Sequence, residues 1–160
     1  MSVEIIPIQP QFDLVIKKII KSVGAEFGAV GEGYGPSDPE VENMSAYYTM
    51  QNQSRYFIAI KDGVVIGGCG VAPFTKGSAT CELKKLFLLE DARGLGLGVK
   101  LTEQCLSFAQ QQGFSHCYLD TLSNMTSAIK LYEKLGFSHL SEPLEGTVHN
   151  MCDVWMLKTL

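Results

Sequence analysis

The sequence has no apolar run approaching the ~20 residues a membrane-spanning helix needs, because charges break every hydrophobic stretch. A helical membrane protein is therefore not expected, and no membrane partner either. An excess of basic residues is missing too: 13 Lys and Arg stand against 17 Asp and Glu, a formal net charge of −4. Nucleic-acid binding draws affinity from a cationic footprint, so that class is disfavoured. No secretory leader opens the sequence, since Met1–Ile8 carries Glu4 and lacks a basic start and a long apolar stretch. A cytoplasmic protein is the expectation. Cys-x-x-Cys is absent, and the five cysteines (Cys69, Cys81, Cys105, Cys117, Cys152) are odd in number and far apart. A secreted disulfide framework shows an even count in a shorter chain, so reduced, largely buried thiols are expected. His149-x-x-Cys152 has the spacing of a ligand pair, but no second pair completes a four-ligand zinc site, and no metal is expected. Repeats, low-complexity tracts and linkers are also missing.

What is present is 160 residues, 46% hydrophobic and 19% charged, the composition of a folded protein rather than a disordered one. That length corresponds to one domain, 1–160, able to bury a core without disulfide staples. Val3–Ile8 reads as a strand that Pro7 and Pro10 confine to a sheet edge. Phe12, Val15, Ile16, Ile19, Ile20 and Val23 recur at helical spacing. The glycines and prolines from Gly24 to Pro39 forbid a continuous element, and a loop of that length is often functional. Ser37-Asp38-Pro39-Glu40 reads as a helix start, with Val41–Met50 as its body.

Arg55–Lys61 and Val64–Pro73 form a hairpin signal around Asp62-Gly63, with Gly67, Gly68 and Gly70 pointing to a bulge or a close approach. Ala79–Leu89 is a third strand, whose alternation places Glu82, Lys84, Leu86 and Leu88 on one face. Leu97, Leu101, Cys105 and Phe108 mark a helix that Gly113 ends. A strand over His116–Thr121, a helix through Ala128–Leu135, and strands near Phe137–Ser141 and Asp153–Lys158 follow. The expected class is α/β, with one mixed sheet.

Arg93 to Gly98 carries the most chemistry. It joins a strand to the first turn of a helix, where backbone N–H groups lack intrahelical acceptors. Glycines there admit a ligand close to the backbone, the helix dipole adds positive potential, and Arg93 adds a full charge. Together they suit a pyrophosphate. No Walker P-loop occurs, and Gly94-x-Gly96-x-Gly98 departs from a dinucleotide fingerprint, although Asp120 stands near the distance of a ribose-binding acid. The third match is Arg93-x-x-Gly96-x-Gly98.

That motif resembles the R-x-x-G-x-G signature of the GNAT acyltransferase superfamily. The resemblance extends from about Arg55 to Phe137, through Glu82, Leu119-Asp120-Thr121, Asn124 and the A-x-x-L-Y-x-x-x-G-F pattern of Ala128 to Phe137. Ala25–Gly28 and the tail His149-x-x-Cys152-x-x-Trp155 are similar to an uncharacterised bacterial branch of that family. The resemblance implies a GNAT-type acyl-CoA N-acyltransferase fold, with a splayed strand pair in a mixed sheet and about four flanking helices. It also implies acetyl-CoA as co-substrate, bound at its pyrophosphate by Arg93, Gly94, Gly96 and Gly98. Phe87 and Leu88 would then offer backbone groups to the pantetheine arm and thioester, and Asn124 a hydrogen bond, unless Asn124 only caps a helix. Homodimers are compatible with such a fold.

Acyl transfer to an amine requires a neutral nucleophile, a stabilised oxyanion and a proton for the thiolate. Glu82 is the candidate base, the alternative being a surface pair with Lys84. Tyr132 is the candidate acid, the alternative being a core tyrosine satisfied nearby. Glu32 and Tyr34, with Glu26, Tyr47 and Tyr48, are candidates for the acceptor pocket; His149 is either a second base or a surface residue. Lys130 and Lys134 either assist phosphates or form a solvated face. The reading is direct acetyl transfer to a small-molecule or peptide amine. Cys105 and Cys117 lie in apolar patterns unsuited to a ping-pong nucleophile. A catalytically silent acyl-CoA-binding regulatory module is the alternative, and a dinucleotide oxidoreductase comes third.

Overall fold

The computed structural model describes residues 3–160; Met1 and Ser2, the start of the segment read for a leader, lie outside it. Among the described residues the strands are β1 (Val3–Pro7), β2 (Arg55–Lys61), β3 (Val64–Pro73), β4 (Thr80–Leu88), β5 (His116–Thr121), β6 (Ser138–Leu140) and β7 (Val154–Thr159). The helices are α1 (Asp13–Glu26), α2 (Met44–Tyr47), α3 (Leu97–Gln111) and α4 (Thr126–Lys134). One seven-stranded sheet runs in the order β1-β2-β3-β4-β5-β7-β6, antiparallel except at β4–β5. The mixed α/β architecture expected from the sequence is present.

Central strands buried on both faces explain the near-continuous apolar runs. In β2, Tyr56, Ile58 and Ile60 pack toward α1 with Ile16 and Ile20, while Phe57 and Ala59 face α3 with Leu101 and Cys105. Each fully buried isoleucine contributes about 1.5–3 kcal/mol. Asp62 and Gly63 both take positive φ, as the two-residue hairpin needs. No helix in the described residues is long and apolar enough to cross a membrane.

Two expectations are corrected. Val41–Met50 is not one helix: a 3-10 turn over Pro39–Glu42 is followed by the four-residue α2, because Asn43 leaves helical geometry at φ −156°. Asp38 makes no capping bond there; its carboxylate is taken by Lys85 and His149. The second correction concerns β4. The register slips between Gly68 and Gly70 of β3, so that Cys69 faces an extra residue, and Lys85 adopts φ 57°. This bulge flips the alternation. Glu82 and Lys84 share a face with Lys85 and Phe87, whereas Leu86 and Leu88 turn to α3.

Tyr56 connects the glycines to that bulge. Its ring lies against Gly68 and Gly70, and its hydroxyl donates to the Lys85 carbonyl at 2.8 Å. A Cβ on Gly68 would stand 2.4 Å from the Tyr56 ring. Gly68→Ala should therefore cost about 1–3 kcal/mol by overpacking. Thermal denaturation should record a melting temperature several degrees lower; an unchanged Tm would contradict the packing role.

β4 and β5 pair only at Thr80–His116, Cys81–Cys117 and Glu82–Tyr118. Beyond Glu82, β4 continues along β3 and β5 along β7, so the two strands part. The expected splayed pair opens at Glu82.

Candidate active site

The groove beside the splay is built by the glycine turn. Gly94 and Gly96 have φ 80° and 76°, and a Cβ on either would meet nothing, so their left-handed backbone explains the glycines. Gly98 differs: a Cβ there would press within 2.9 Å of Leu131, so its lack of a side chain lets α3 approach α4. Lys100 N–H is the first in α3 to bond back, to Gly96, leaving the preceding amides of the turn without helical acceptors. Leu86, Leu88, Arg93, Gly94, Gly96, Leu97, Gly98 and Asn124 border a groove of about 430 Å³. That falls within the range of small-molecule and cofactor sites.

The α1 terminus reaches into this groove. Arg93 makes two bonds to Glu26, at 2.6 and 2.9 Å, and two to the Leu88 carbonyl, at 3.1 and 2.9 Å. The hydrogen bonds and charge of Arg93 hold the Glu26 carboxyl below its usual range. Asn124 donates to the Phe27 carbonyl at 2.8 Å and caps nothing; α4 begins after Met125 without a side-chain cap. Lys130 and Lys134 are exposed.

A smaller cavity of about 70 Å³ lies against the groove and shares Phe27, Leu86 and Met125 with it. Glu82, Asp120, Tyr132, His149 and Tyr34 line this cavity. Glu82 is 6% exposed, which excludes the surface-pair alternative, and Lys84 pairs instead with Glu40 at 2.8 Å. Lys85 binds Asp38 at 2.7 Å and Glu40 at 3.1 Å, and Tyr48 donates to Glu40 as well. Burial raises the Glu40 carboxyl, but Lys85 and Lys84 outweigh it and leave the net shift downward. Burial likewise depresses Lys84, and Glu40 with Glu82 reverses that.

His149 is buried, so the surface alternative fails for it too. Its Nε2 faces Asp38 at 2.7 Å; its Nδ1 faces Asp120 at 2.8 Å and Glu82 at 3.3 Å. Burial favours the neutral ring, but bonds to Asp120, Asp38 and Glu82 raise its pKa to about 11. Three carboxylates around one ring favour its protonated form, which disfavours His149 as a second base. Asp38 is lowered to about 2, as the His149 bond and the Lys85 charge overcome burial. Asp120 also accepts from Thr147 at 2.6 Å, which ties it to the tail loop. One ligand atom each from Glu82, Asp120 and His149 lies within 4.8 Å of the others, so this trio is where a cation would find donors.

Tyr132 is 6% exposed and stacks edge-on with Phe137 at 5.8 Å. Burial raises its hydroxyl, which therefore keeps its proton at neutral pH. Its ring lines the small cavity. Of the proposed acceptor residues Tyr34 reaches the cavity, while Glu32 is exposed and borders neither space. Tyr47 lies under Lys84 at 5.4 Å, and Tyr48 is buried. Cys105 and Cys117 are fully buried with their thiols pushed up, which argues against a covalent intermediate on either.

Asp38, Glu40 and Lys85 belong to this cluster and escaped the sequence reading, which took Asp120 for a ribose-binding candidate. Their signal was two lysines inside an otherwise apolar strand: buried cations require counter-charges, and Asp38-Pro39-Glu40 supplies them.

A helix-initiating glycine turn stands beside a splayed parallel strand pair, with a buried acid at the fork. The chain belongs to the Acetyltransferase (GNAT) family, whose profile matches residues 26–137. It is 38% identical over 147 residues to the uncharacterized N-acetyltransferase YjgM of Escherichia coli K12, covering 91% of this chain and 87% of that protein. The fold matches a GNAT acetyltransferase from Staphylococcus aureus Mu50 with a TM-score of 0.84 at 20% identity, over 99% of both chains. A GNAT phosphinothricin acetyltransferase from Sinorhizobium meliloti, solved in complex with AcCoA, aligns at TM-score 0.78 and 19% identity, over 100% of this chain and 89% of that one.

Proposed function

We propose that this acetyltransferase transfers the acetyl group of acetyl-CoA directly to an amine of a small molecule or peptide. The observation that carries the reading is the junction of the two spaces at the fork of β4 and β5. The glycine-turn groove meets the cavity containing Glu82 and Tyr132 along Phe27, Leu86 and Met125. The groove suits the donor: open left-handed glycines, unpaired first-turn amides and Arg93 converge where a pyrophosphate would lie. Gly94, Gly96, Gly98 and Arg93 would hold that group, with Asn124 and the β4 edge at Phe87–Leu88 along the pantetheine arm. When bound, acetyl-CoA supplies the thioester carbonyl.

Glu82 accepts the proton that the acceptor amine must lose to attack. Its Oε2 faces His149, while Oε1 makes no ion pair among the described residues. Tyr132 donates its hydroxyl proton to the departing thiolate, completing the exchange of a C–S bond for a C–N bond. Tyr34 borders the acceptor.

Free thiol released from acetyl-CoA, followed across a panel of free amino acids, polyamines and short peptides, tests the activity. Turnover with at least one amine is expected, and its absence across the panel would leave the silent-module alternative standing. Arg93→Ala should weaken CoA binding while keeping the fold, and Gly96→Val should weaken it as well, with a loss of stability from a β-branched residue at φ 76°. A charge-assisted phosphate contact is worth about 1.5–3 kcal/mol, roughly ten- to hundredfold in affinity. Calorimetry with unchanged CoA affinity in both folded variants would overturn the donor assignment.

A further inference from the structure

The two polar side chains proposed for the donor, Arg93 and Asn124, are both held by consecutive residues at the end of α1. We infer that Glu26 is a built-in competitor of the donor: its carboxylate occupies the edge of Arg93 that a pyrophosphate would use, and it must swing aside for acetyl-CoA to bind. The inference rests on Arg93 holding that pyrophosphate.

A guanidinium has five N–H donors in a fixed fork. Nε and Nη2 of Arg93 donate to the Leu88 carbonyl at 3.1 and 2.9 Å. Nη1 and Nη2 donate to the two oxygens of Glu26 at 2.6 and 2.9 Å. Four donors are thus committed, and the pair to Glu26 is bidentate, the geometry with which arginine also grips a phosphate. The Leu88 bonds fix the side chain beside the glycine turn, and the Glu26 bonds take the edge left over. Two anions cannot share it.

The next residue repeats the pattern. The Arg93 guanidinium lies over the Phe27 ring, 5.5 Å from its centroid, and the Phe27 carbonyl accepts from Asn124 at 2.8 Å. Release of Arg93 needs no backbone movement. The end of α1 is anchored: a Cβ on Gly24 would stand 2.6 Å from Pro36, and the Ala29 amide donates to the Gly24 carbonyl at 2.8 Å. The Glu26 side chain, by contrast, is 45% exposed, so its rotation alone frees the fork. An ion pair this open is weak, and a ligand with two linked phosphates can displace it. Its apparent affinity then falls by the fraction of molecules in which Arg93 is free.

Glu90 provides the control. It is exposed and adds negative charge near Arg93, but among the described residues its carboxylate makes no hydrogen bond to the guanidinium. Calorimetry with CoA compares wild type, Glu26→Ala, Glu90→Ala, Arg93→Ala and the double variant Glu26→Ala/Arg93→Ala. Freed of its competitor, the Glu26→Ala protein should bind CoA about two- to fivefold more tightly than wild type. Glu90→Ala should gain less, and without Arg93 the gain from Glu26→Ala should be no larger than that of Glu90→Ala. Unchanged or weaker CoA binding by Glu26→Ala would overturn the inference, because Glu26 would then be holding Arg93 in place for the phosphate. Equal gains from Glu26→Ala and Glu90→Ala, or a full gain that persists without Arg93, would overturn it too, as plain repulsion of an anionic ligand. Arg93→Ala binding CoA like wild type would instead remove Arg93 from the donor site, and this inference with it.

Discussion

Replacing Tyr132 with phenylalanine should lower kcat by about 10²–10⁴-fold, the usual contribution of a positioned general acid. The substitution keeps the ring edge-on to Phe137 and removes only the hydroxyl, so the core should be undisturbed. Acetyl-CoA affinity should change little, since Tyr132 borders the small cavity and not the glycine-turn groove. Steady-state kinetics that lower kcat and kcat/KM together would identify an interaction made in the transition state. A Phe variant turning over at the wild-type rate would return Tyr132 to a packing role.

Glu82→Gln should have an effect of the same order, with a different pH signature. The variant offers no carboxylate to take the amine proton, so its deficit should be deepest at low pH, where the acceptor is mostly ammonium. As pH rises through the amine's own titration, near ~7.7–8.0 for an α-amino group and ~10.4 for lysine, solvent supplies the neutral nucleophile. Part of the lost rate should return there, whereas Tyr132→Phe should show no such recovery. Profiles of kcat/KM against pH for both variants separate the two roles. A Glu82→Gln enzyme as fast as wild type at pH 6 would remove Glu82 from catalysis.

The part of the site written locally was readable from residue order. Arg93 and its three glycines lie within six positions of one another, and the left-handed backbone at Gly94 and Gly96 follows from the absence of side chains there. Glu82 stood out as an acid in an apolar strand, and it is buried at the fork. The glycines of β3 pointed to a bulge or a close approach, and the register slips at Gly68–Gly70; its effect on β4 was not legible, because the left-handed residue there is Lys85, a type that does not announce positive φ. Alternation alone therefore placed Leu86 and Leu88 beside Glu82, on the wrong side of the sheet. Nor was the ring of carboxylates around His149 legible: periodicity carries no information about a pair such as Asp38 and His149, which only the closing of two loops brings to 2.7 Å. Asp38 was further disguised by the proline after it, which reads as a helix start. Arg93 was recognised as a cation near phosphate, but its engagement with Glu26, 67 residues away, depends on where α1 ends.

The cysteines give the molecule an internal reporter of its own opening. Cys69, Cys81, Cys105 and Cys117 occupy β3, β4, α3 and β5, all shielded from water, whereas Cys152 is partly accessible. A thiol-specific alkylating reagent therefore meets one partly accessible site in the native protein, slowed because burial and Asp120 push the Cys152 thiol up, and reaches the other four only when the sheet and α3 come apart. Where reclosing is fast, the rate of that slow labelling measures the population of the open form. Resolved peptide by peptide, the same labelling distinguishes fraying of one strand from loss of the whole core.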